Sequence, residues 1–104
     1  MSRETFNNGE DGFQCISIGT SQQITSTKPQ TLSNPVGAYT SIIRVFCTQD
    51  CFIAIGPSPT VDASGSTGVF LPGGVVDYFG CNPGDILAVI RNSVDGTLYM
   101  TEGL

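Results

Sequence analysis

The chain has 104 residues, enough for one domain but not for a second core. Only 12% of its residues are charged and 39% are hydrophobic, which excludes a disordered protein and suggests that another protein covers part of the surface. The net charge is −5 and the four Lys and Arg residues are scattered, so the sequence lacks the basic stripe that direct nucleic-acid binding requires.

Residues 1–12 contain few apolar residues beyond Phe6, and we expect a flexible N-terminal arm there, followed by a single domain over 13–104. Six Pro and thirteen Gly interrupt any helical periodicity. Short β-rich runs between turn residues predict strands instead. They are FQCISIG (13–19), QQITST (22–27), QTLS (30–33), TSIIRVFC (40–47), CFIAIG (51–56), TGVFLP (67–72), VVDYFG (75–80), DILAVIR (85–91) and TLYMTE (97–102).

Two of these runs alternate between faces that are both partly apolar. The run 40–47 places Ile43, Val45 and Cys47 on one face and Ile42, Arg44 and Phe46 on the other. The run 51–56 alternates in the same way, with Phe52 on the face opposite that of the residues directly before and after it. We therefore expect central strands that lie between a core and a second covered surface.

Turn residues support an all-β fold. NPGD (82–85) has Pro and Gly at the central positions of a type II turn, and VDGT (94–97) predicts a two-residue hairpin. About eight short strands without a helix predict a small antiparallel β-sandwich or barrel, jelly-roll-like in type, with the flexible arm at its N-terminus.

Four cysteines lie at positions 15, 47, 51 and 81, and the N-terminal sequence shows no export signal. We expect reduced, mostly buried thiols. Cys47 and Cys51 flank Thr48-Gln49-Asp50, which predicts a tight hairpin loop with the two sulfurs facing each other across two strands. A disulfide between them is the alternative.

The sequence contains no histidine, which removes Ser–His and Cys–His nucleophile pairs and imidazole metal ligands. A zinc site built from cysteines alone needs two close pairs, and the chain has one. Asp77 differs from the other acidic residues because it lies inside an apolar run. An inward-facing Asp77 would need Arg44 or Arg91 as a partner, and we favour an outward-facing one. We expect no catalytic residue, no metal and no cofactor.

The stretch GPSPTVDASGSTG (56–68) resembles a ligand-binding loop only superficially. It lacks the GxxxxGK[ST] order, carries no Lys or Arg and precedes no predicted helix. We predict a proline-stiffened connection between two strands, with a mobile tip at 62–66. Tyr39, Tyr78 and Tyr99 are candidates for a sugar-stacking platform, although aromatic residues in strands more often belong to the core.

From residue 44 onward, the order of short motifs resembles small proteins encoded beside the head genes of tailed bacteriophages. The motifs are IAIG (53–56), a loop with Pro57 and Pro59, LP (71–72), VDYF (76–79), PGD (83–85), AVI (88–90) and GTLYMTE (96–102). Their order carries the resemblance, since no single motif is specific. The first forty residues lie outside it.

The resemblance implies a non-catalytic virion structural protein, most naturally a head decoration (cement) protein. Such proteins are commonly β-rich homotrimers that bind the major capsid protein and stabilise the expanded shell. It implies a place on the capsid surface after synthesis in the host bacterial cytoplasm, without direct nucleic-acid or membrane contact. On this hypothesis Phe6 and Phe13 bind the capsid, and Ile42, Phe46 and Phe52 lie at the subunit interface.

Three alternatives remain open. A tail, neck or fibre component of the virion would share the same composition. A β-sandwich carbohydrate-binding module would use the tyrosines, and an enzyme would use Asp77.

Overall fold

The computed structural model of the protein describes residues 18–57, 63–64 and 67–103. This part of the chain contains eight β-strands and no helix. The strands are β1 (Ile18–Ser26), β2 (Thr31–Leu32), β3 (Ile42–Cys47), β4 (Cys51–Gly56), β5 (Val69–Leu71), β6 (Val76–Gly80), β7 (Ile86–Arg91) and β8 (Gly96–Gly103). The predicted N-terminal arm, together with Phe13 and Cys15, lies outside the described residues.

The strands form two four-stranded antiparallel sheets that enclose the core between them. The first sheet has the order β1-β8-β3-β6 and the second the order β2-β7-β4-β5. Strand β1 pairs with β8, β2 with β7, β3 with β6 and β4 with β5, so the chain is one long hairpin folded over on itself. This nested pairing is the topology of a jelly roll. The predicted all-β sandwich of jelly-roll type is confirmed.

The core consists of every second side chain of the paired strands. Its buried cluster comprises Ile24, Val36, Ile43, Val45, Cys47, Cys51, Ile53, Leu71, Leu87, Val89, Leu98 and Met100. The predicted alternation along 40–47 is confirmed, since Ile43, Val45 and Cys47 are fully buried. Burial of a side chain of this kind stabilises a fold by about 1.5–3 kcal/mol, so these alternate positions hold the two sheets together.

Most predicted strands match the observed ones within two residues, and 51–56 matches at both ends. The N-terminal region differs in part, because β1 continues without a break across the gap predicted between 13–19 and 22–27, while residues 13–17 lie outside the described residues. The register of β1 with β8 shifts between Ile18 and Ser21, which is how a β-bulge lets a strand continue through the Gly19-Thr20 pair.

The turn predictions have mixed outcomes. The type II turn at 82–85 is confirmed, since the Asp85 N–H donates to the Asn82 carbonyl at 3.0 Å and Gly84 has a φ of +83°. The two-residue hairpin at 94–97 is wrong, because β7 and β8 belong to different sheets. Gly96 serves a close approach instead: a Cβ there would lie 2.8 Å from Thr48 Oγ1.

The predicted hairpin between Cys47 and Cys51 is also wrong, since β3 and β4 lie in opposite sheets. The two residues nevertheless meet in the core as free, fully buried thiols, so the disulfide alternative is not realised. The Cys47 thiol donates to Ser26 Oγ at 3.6 Å. Burial, and then the neighbouring Cys47, raises the pKa of the Cys51 thiol well above its ordinary value of 9.0, which keeps it protonated.

Candidate functional site

The two outer faces of the sandwich differ, because the chain itself covers part of the outer face of the second sheet, although Leu32 and Phe70 are still about half exposed there. Pairing with β4 directs Ile86 and Ala88 away from the core, yet both are buried. The described residues of the connection between β4 and β5 (57, 63–64 and 67–68) include some that lie against this face. The backbone N–H of Ala63, a residue with no exposed surface, donates to Gln30 Oε1 at 2.7 Å.

Phe52 lies under this connection. Its ring packs edge-on against Phe70, with centroids 5.5 Å apart and planes at 62°. A Cβ at Gly68 would lie 3.0 Å from the Phe52 Cβ and 2.8 Å from the Ser64 carbonyl oxygen, so the backbone at Gly68 passes close to the base of the Phe52 side chain. The cavity left beside the connection, of about 450 Å³, is lined by Lys28, Pro29, Gln30, Ser64 and Ile90.

No segment among the described residues covers the outer face of the first sheet, hereafter the open face. Strand register directs these residues outward: Ser21, Gln23 and Thr25 of β1; Thr97, Tyr99 and Thr101 of β8; Ile42, Arg44 and Phe46 of β3; Val76 and Tyr78 of β6. Tyr78 is 51% exposed, and Val76 and Tyr99 are each 40% exposed. Large, partly exposed side chains that lie together on adjacent strands of one sheet face are typical of a binding surface.

A groove of about 490 Å³ crosses the open face. Its lining residues are Ser21, Gln22, Gln23, Arg44, Phe46, Val76, Tyr99, Met100 and Thr101. Two cross-strand rows of the open face contribute residues to it. Phe46 lies between Val76 and Tyr99 in one row, and Arg44 lies between Tyr78 and Thr101 in the other.

One half of the groove is aromatic and the other is polar. The rings of Phe46 and Tyr99 are tilted at 44° with centroids 6.4 Å apart, which is within the favourable range for aromatic pairs. On the polar side the hydroxyls of Ser21 and Thr101 share a hydrogen bond of 3.2 Å. Gln23 lies opposite Tyr99 in the register. Apolar surface is thus placed beside hydrogen-bonding groups that retain further capacity.

The open face carries one charge among its described outward residues, the Arg44 guanidinium, and no carboxylate. Asp77 lies in the sequence between the open-face residues Val76 and Tyr78. It pairs in register with Val45 and so projects toward the other side of edge strand β6. It is exposed there and accepts the Tyr78 N–H at 2.8 Å, and neither described arginine, Arg44 or Arg91, is bound to it. A charge placed this way on an edge strand opposes pairing with another chain.

A second polar cluster lies buried at one end of the sandwich. Glu102, 4% exposed, accepts hydrogen bonds from Thr40 Oγ1 at 2.5 Å and from the Gly37 N–H at 3.0 Å. Burial, and then the nearby Asp85 and Glu102, raises the pKa of the Cys81 thiol and keeps it in the less nucleophilic protonated form. This cluster fastens the β2–β3 connection to β8, which is a structural task.

The structure separates the residues predicted for subunit contact. Ile42 and Phe46 share the open face, whereas Phe52 lies on the covered face of the other sheet. Phe6 and Phe13, predicted to bind the capsid, lie outside the described residues.

Two of the three predicted platform tyrosines, Tyr78 and Tyr99, reach the open face. Tyr39 is 87% exposed in the β2–β3 connection. The polar groove residues Ser21, Gln23 and Thr101 were not predicted. The alternation in TLYMTE was the available signal, because Leu98 and Met100 are buried and their neighbours face outward.

Across the described ranges, no group of three or more His, Cys, Asp or Glu side chains is placed to hold a metal ion. No helix in that same part of the chain is long and apolar enough to cross a membrane. No protein-family model matches the chain, and no curated protein or solved structure is significantly similar to it.

Proposed function

We propose that this protein is a virion structural protein that binds the outside of a phage capsid and stabilises the expanded shell without catalysis. The observation that carries the proposal is the unequal covering of the sandwich. The connection between β4 and β5 covers part of one outer sheet face, whereas no described segment covers the other, on which Val76, Tyr78 and Tyr99 are exposed. A small, weakly charged domain built this way is suited to binding rather than chemistry.

Two further points support it. The order of motifs from residue 44 onward resembles phage head-associated proteins, and the jelly roll is an architecture that viral capsid proteins use often. Architecture alone does not determine function. The open face and the motif order therefore support the proposal more strongly than the jelly-roll architecture does.

The proposed mechanism is thermodynamic linkage. A protein that binds the expanded shell and not the unexpanded one stabilises the former by RT ln(1 + [L]/Kd), about 2.7 kcal/mol per site at a concentration of 100 Kd. A homotrimer would match a local three-fold axis of the shell and gain avidity from three simultaneous contacts.

Within this proposal Phe6 and Phe13 contact the major capsid protein. Ile42 lies at the end of the open face, opposite Gly80 and Gly103 and outside the set that lines the groove, and we assign it to the contact between subunits. Phe52, which packs against Phe70 close to Gly68 of the β4–β5 connection, remains proposed for the subunit interface, on the opposite sheet from Ile42.

The test is co-sedimentation of the purified protein with expanded and with unexpanded capsids of the virus whose genome encodes it. We expect selective binding to expanded capsids at a stoichiometry near that of the capsid subunit. Failure to sediment with either form removes the proposal. A dozen copies or fewer per particle would instead indicate a tail, neck or fibre component.

Sedimentation equilibrium tests the trimer separately. Ile42→Arg should dissociate it, because a charge would be buried at the contact. Leu32→Arg is the matched control, since Leu32 is 48% exposed on β2 in the other sheet. Dissociation by both variants, or by neither, would place the contact elsewhere.

A further inference from the structure

The charge on the open face opposes that of the whole protein. The chain carries a net charge of −5. The outward residues of the four strands of the first sheet nevertheless include Arg44 and no Asp or Glu. Arg44 lies in the middle of its row, between Tyr78 and Thr101, and lines the groove. In an acidic protein, a groove that is lined by an arginine, on a face whose described outward residues include no carboxylate, is electrostatically suited to an anionic ligand.

The remaining groups of the groove indicate what kind of anion fits. Tyr99 lines the groove and is 40% exposed, and a flat apolar ring face is the surface against which the C–H face of a pyranose packs. Ser21, Thr101 and Gln23 supply hydroxyl and amide groups that can both donate and accept. A ligand that uses both sets must combine an apolar face with many hydroxyls.

We propose that this groove binds an acidic saccharide, with its carboxylate or sulfate group on the Arg44 guanidinium and a sugar ring against Tyr99. The planar guanidinium can bind a carboxylate through two parallel N–H···O bonds. The groove volume of about 490 Å³ is within the range of small-ligand sites. This activity goes beyond the capsid role proposed above and does not depend on it.

A protein partner is the competing occupant of the same surface. A protein interface of stable size has an apolar centre with a polar rim. In the groove the aromatic pair occupies one half and the hydroxyls, the amide and the guanidinium the other, instead of a polar rim around an apolar centre, which favours the saccharide.

The first experiment is an array of oligosaccharides bearing uronate, sialate, sulfate or pyruvyl groups, printed beside uncharged oligosaccharides. The wild-type protein should retain acidic members selectively, and Arg44→Gln and Tyr99→Ala should each lose at least about tenfold in affinity. Lys28→Gln removes a charge on the covered side, and Tyr39→Ala removes an aromatic ring from the β2–β3 connection. Both controls should bind like the wild type.

Titration calorimetry with the best uronate-bearing or sialate-bearing member and its methyl ester then isolates the charge. The ester should bind Arg44→Gln and the wild type with similar affinity, whereas the acid should distinguish them. Far-ultraviolet circular dichroism confirms that each variant is folded.

Three outcomes overturn the inference: no acidic saccharide is bound, the methyl ester binds as well as the acid, or Arg44→Gln behaves like Lys28→Gln. Loss of oligomer mass or of capsid co-sedimentation in Arg44→Gln would likewise overturn it, by assigning the groove to a protein partner. If the wild type fails to bind capsids but binds acidic saccharides through Arg44, the capsid proposal alone falls.

Discussion

The buried hydrogen bond between Thr40 and Glu102 should be a major local contribution to stability. Thr40 has no exposed surface, and its Oγ1 lies 2.5 Å from Glu102 Oε1. Thr40→Val keeps the side-chain shape but removes the donor and leaves the carboxylate with the Gly37 N–H at 3.0 Å. A hydrogen bond to a charged group contributes about 1.5–3 kcal/mol, so we expect a loss of about 2 kcal/mol in the free energy of unfolding.

A double-mutant cycle with Glu102→Gln gives the sharper test. The Gln oxygen can still accept from Thr40, but a neutral bond is roughly half as strong as a charge-assisted one. Thr40→Val should therefore cost only about 1 kcal/mol in the Gln background, which is a coupling of about 1 kcal/mol between the two positions.

Urea denaturation analysed by linear extrapolation provides these free energies. Thr25→Val is the control, because Thr25 is exposed and faces outward on β1, and it should change stability by less than about 0.5 kcal/mol. If Thr40→Val matches this control, or if the two substitutions are additive within about 0.3 kcal/mol, the cluster does not fasten the β2–β3 connection and the reasoning is refuted.

Three further predictions follow from close contacts, thiol burial and the sheet edge. Gly73→Ala should destabilise the fold by about 1–3 kcal/mol in urea, since its Cβ would lie 2.9 Å from the Gln49 backbone, whereas Gly80→Ala should be nearly neutral because its nearest contact is 3.9 Å. Equal losses for both would contradict this. Because the pKa of Cys51 is raised in the folded state, the free energy of unfolding should be unchanged below about pH 9 and should fall at higher pH, where unfolded thiols ionise. In Cys51→Ala the free energy of unfolding should fall less steeply between about pH 9 and 10.5. Identical slopes for the variant and the wild type would contradict this prediction. Asp77→Val should aggregate and raise light scattering, because it removes the charge from edge strand β6. Asp95→Val, in the β7–β8 loop, should not raise it. A soluble Asp77→Val protein would show that another feature protects the edge from pairing.

Local sequence was sufficient for the elements and for the direction of their side chains. The period of two in IIRVFC sends Ile43 and Val45 inward and Arg44 and Phe46 outward regardless of which strands lie alongside. The Pro-Gly pair at 83–84 likewise determines its turn locally. The proline restricts φ at the first central position, and the glycine permits the positive φ needed at the second.

Tertiary pairing decided which outward residues are accessible. Phe46 and Phe52 are equivalent in sequence, as outward aromatics on neighbouring apolar strands. In the folded chain, Phe46 lies in an open groove and Phe52 lies beneath the β4–β5 connection.

The groove itself assembles residues that are far apart in the chain, since Ser21 meets Thr101 and Arg44 meets Tyr78 only through sheet register. Long-range pairing also explains why the hairpin predicted at 94–97 does not form, since β8 pairs with β1 and β3 instead of β7. Strand pairing depends on long-range burial and on which face each sheet presents to the core, so periodicity within a segment determines its faces but not its neighbours.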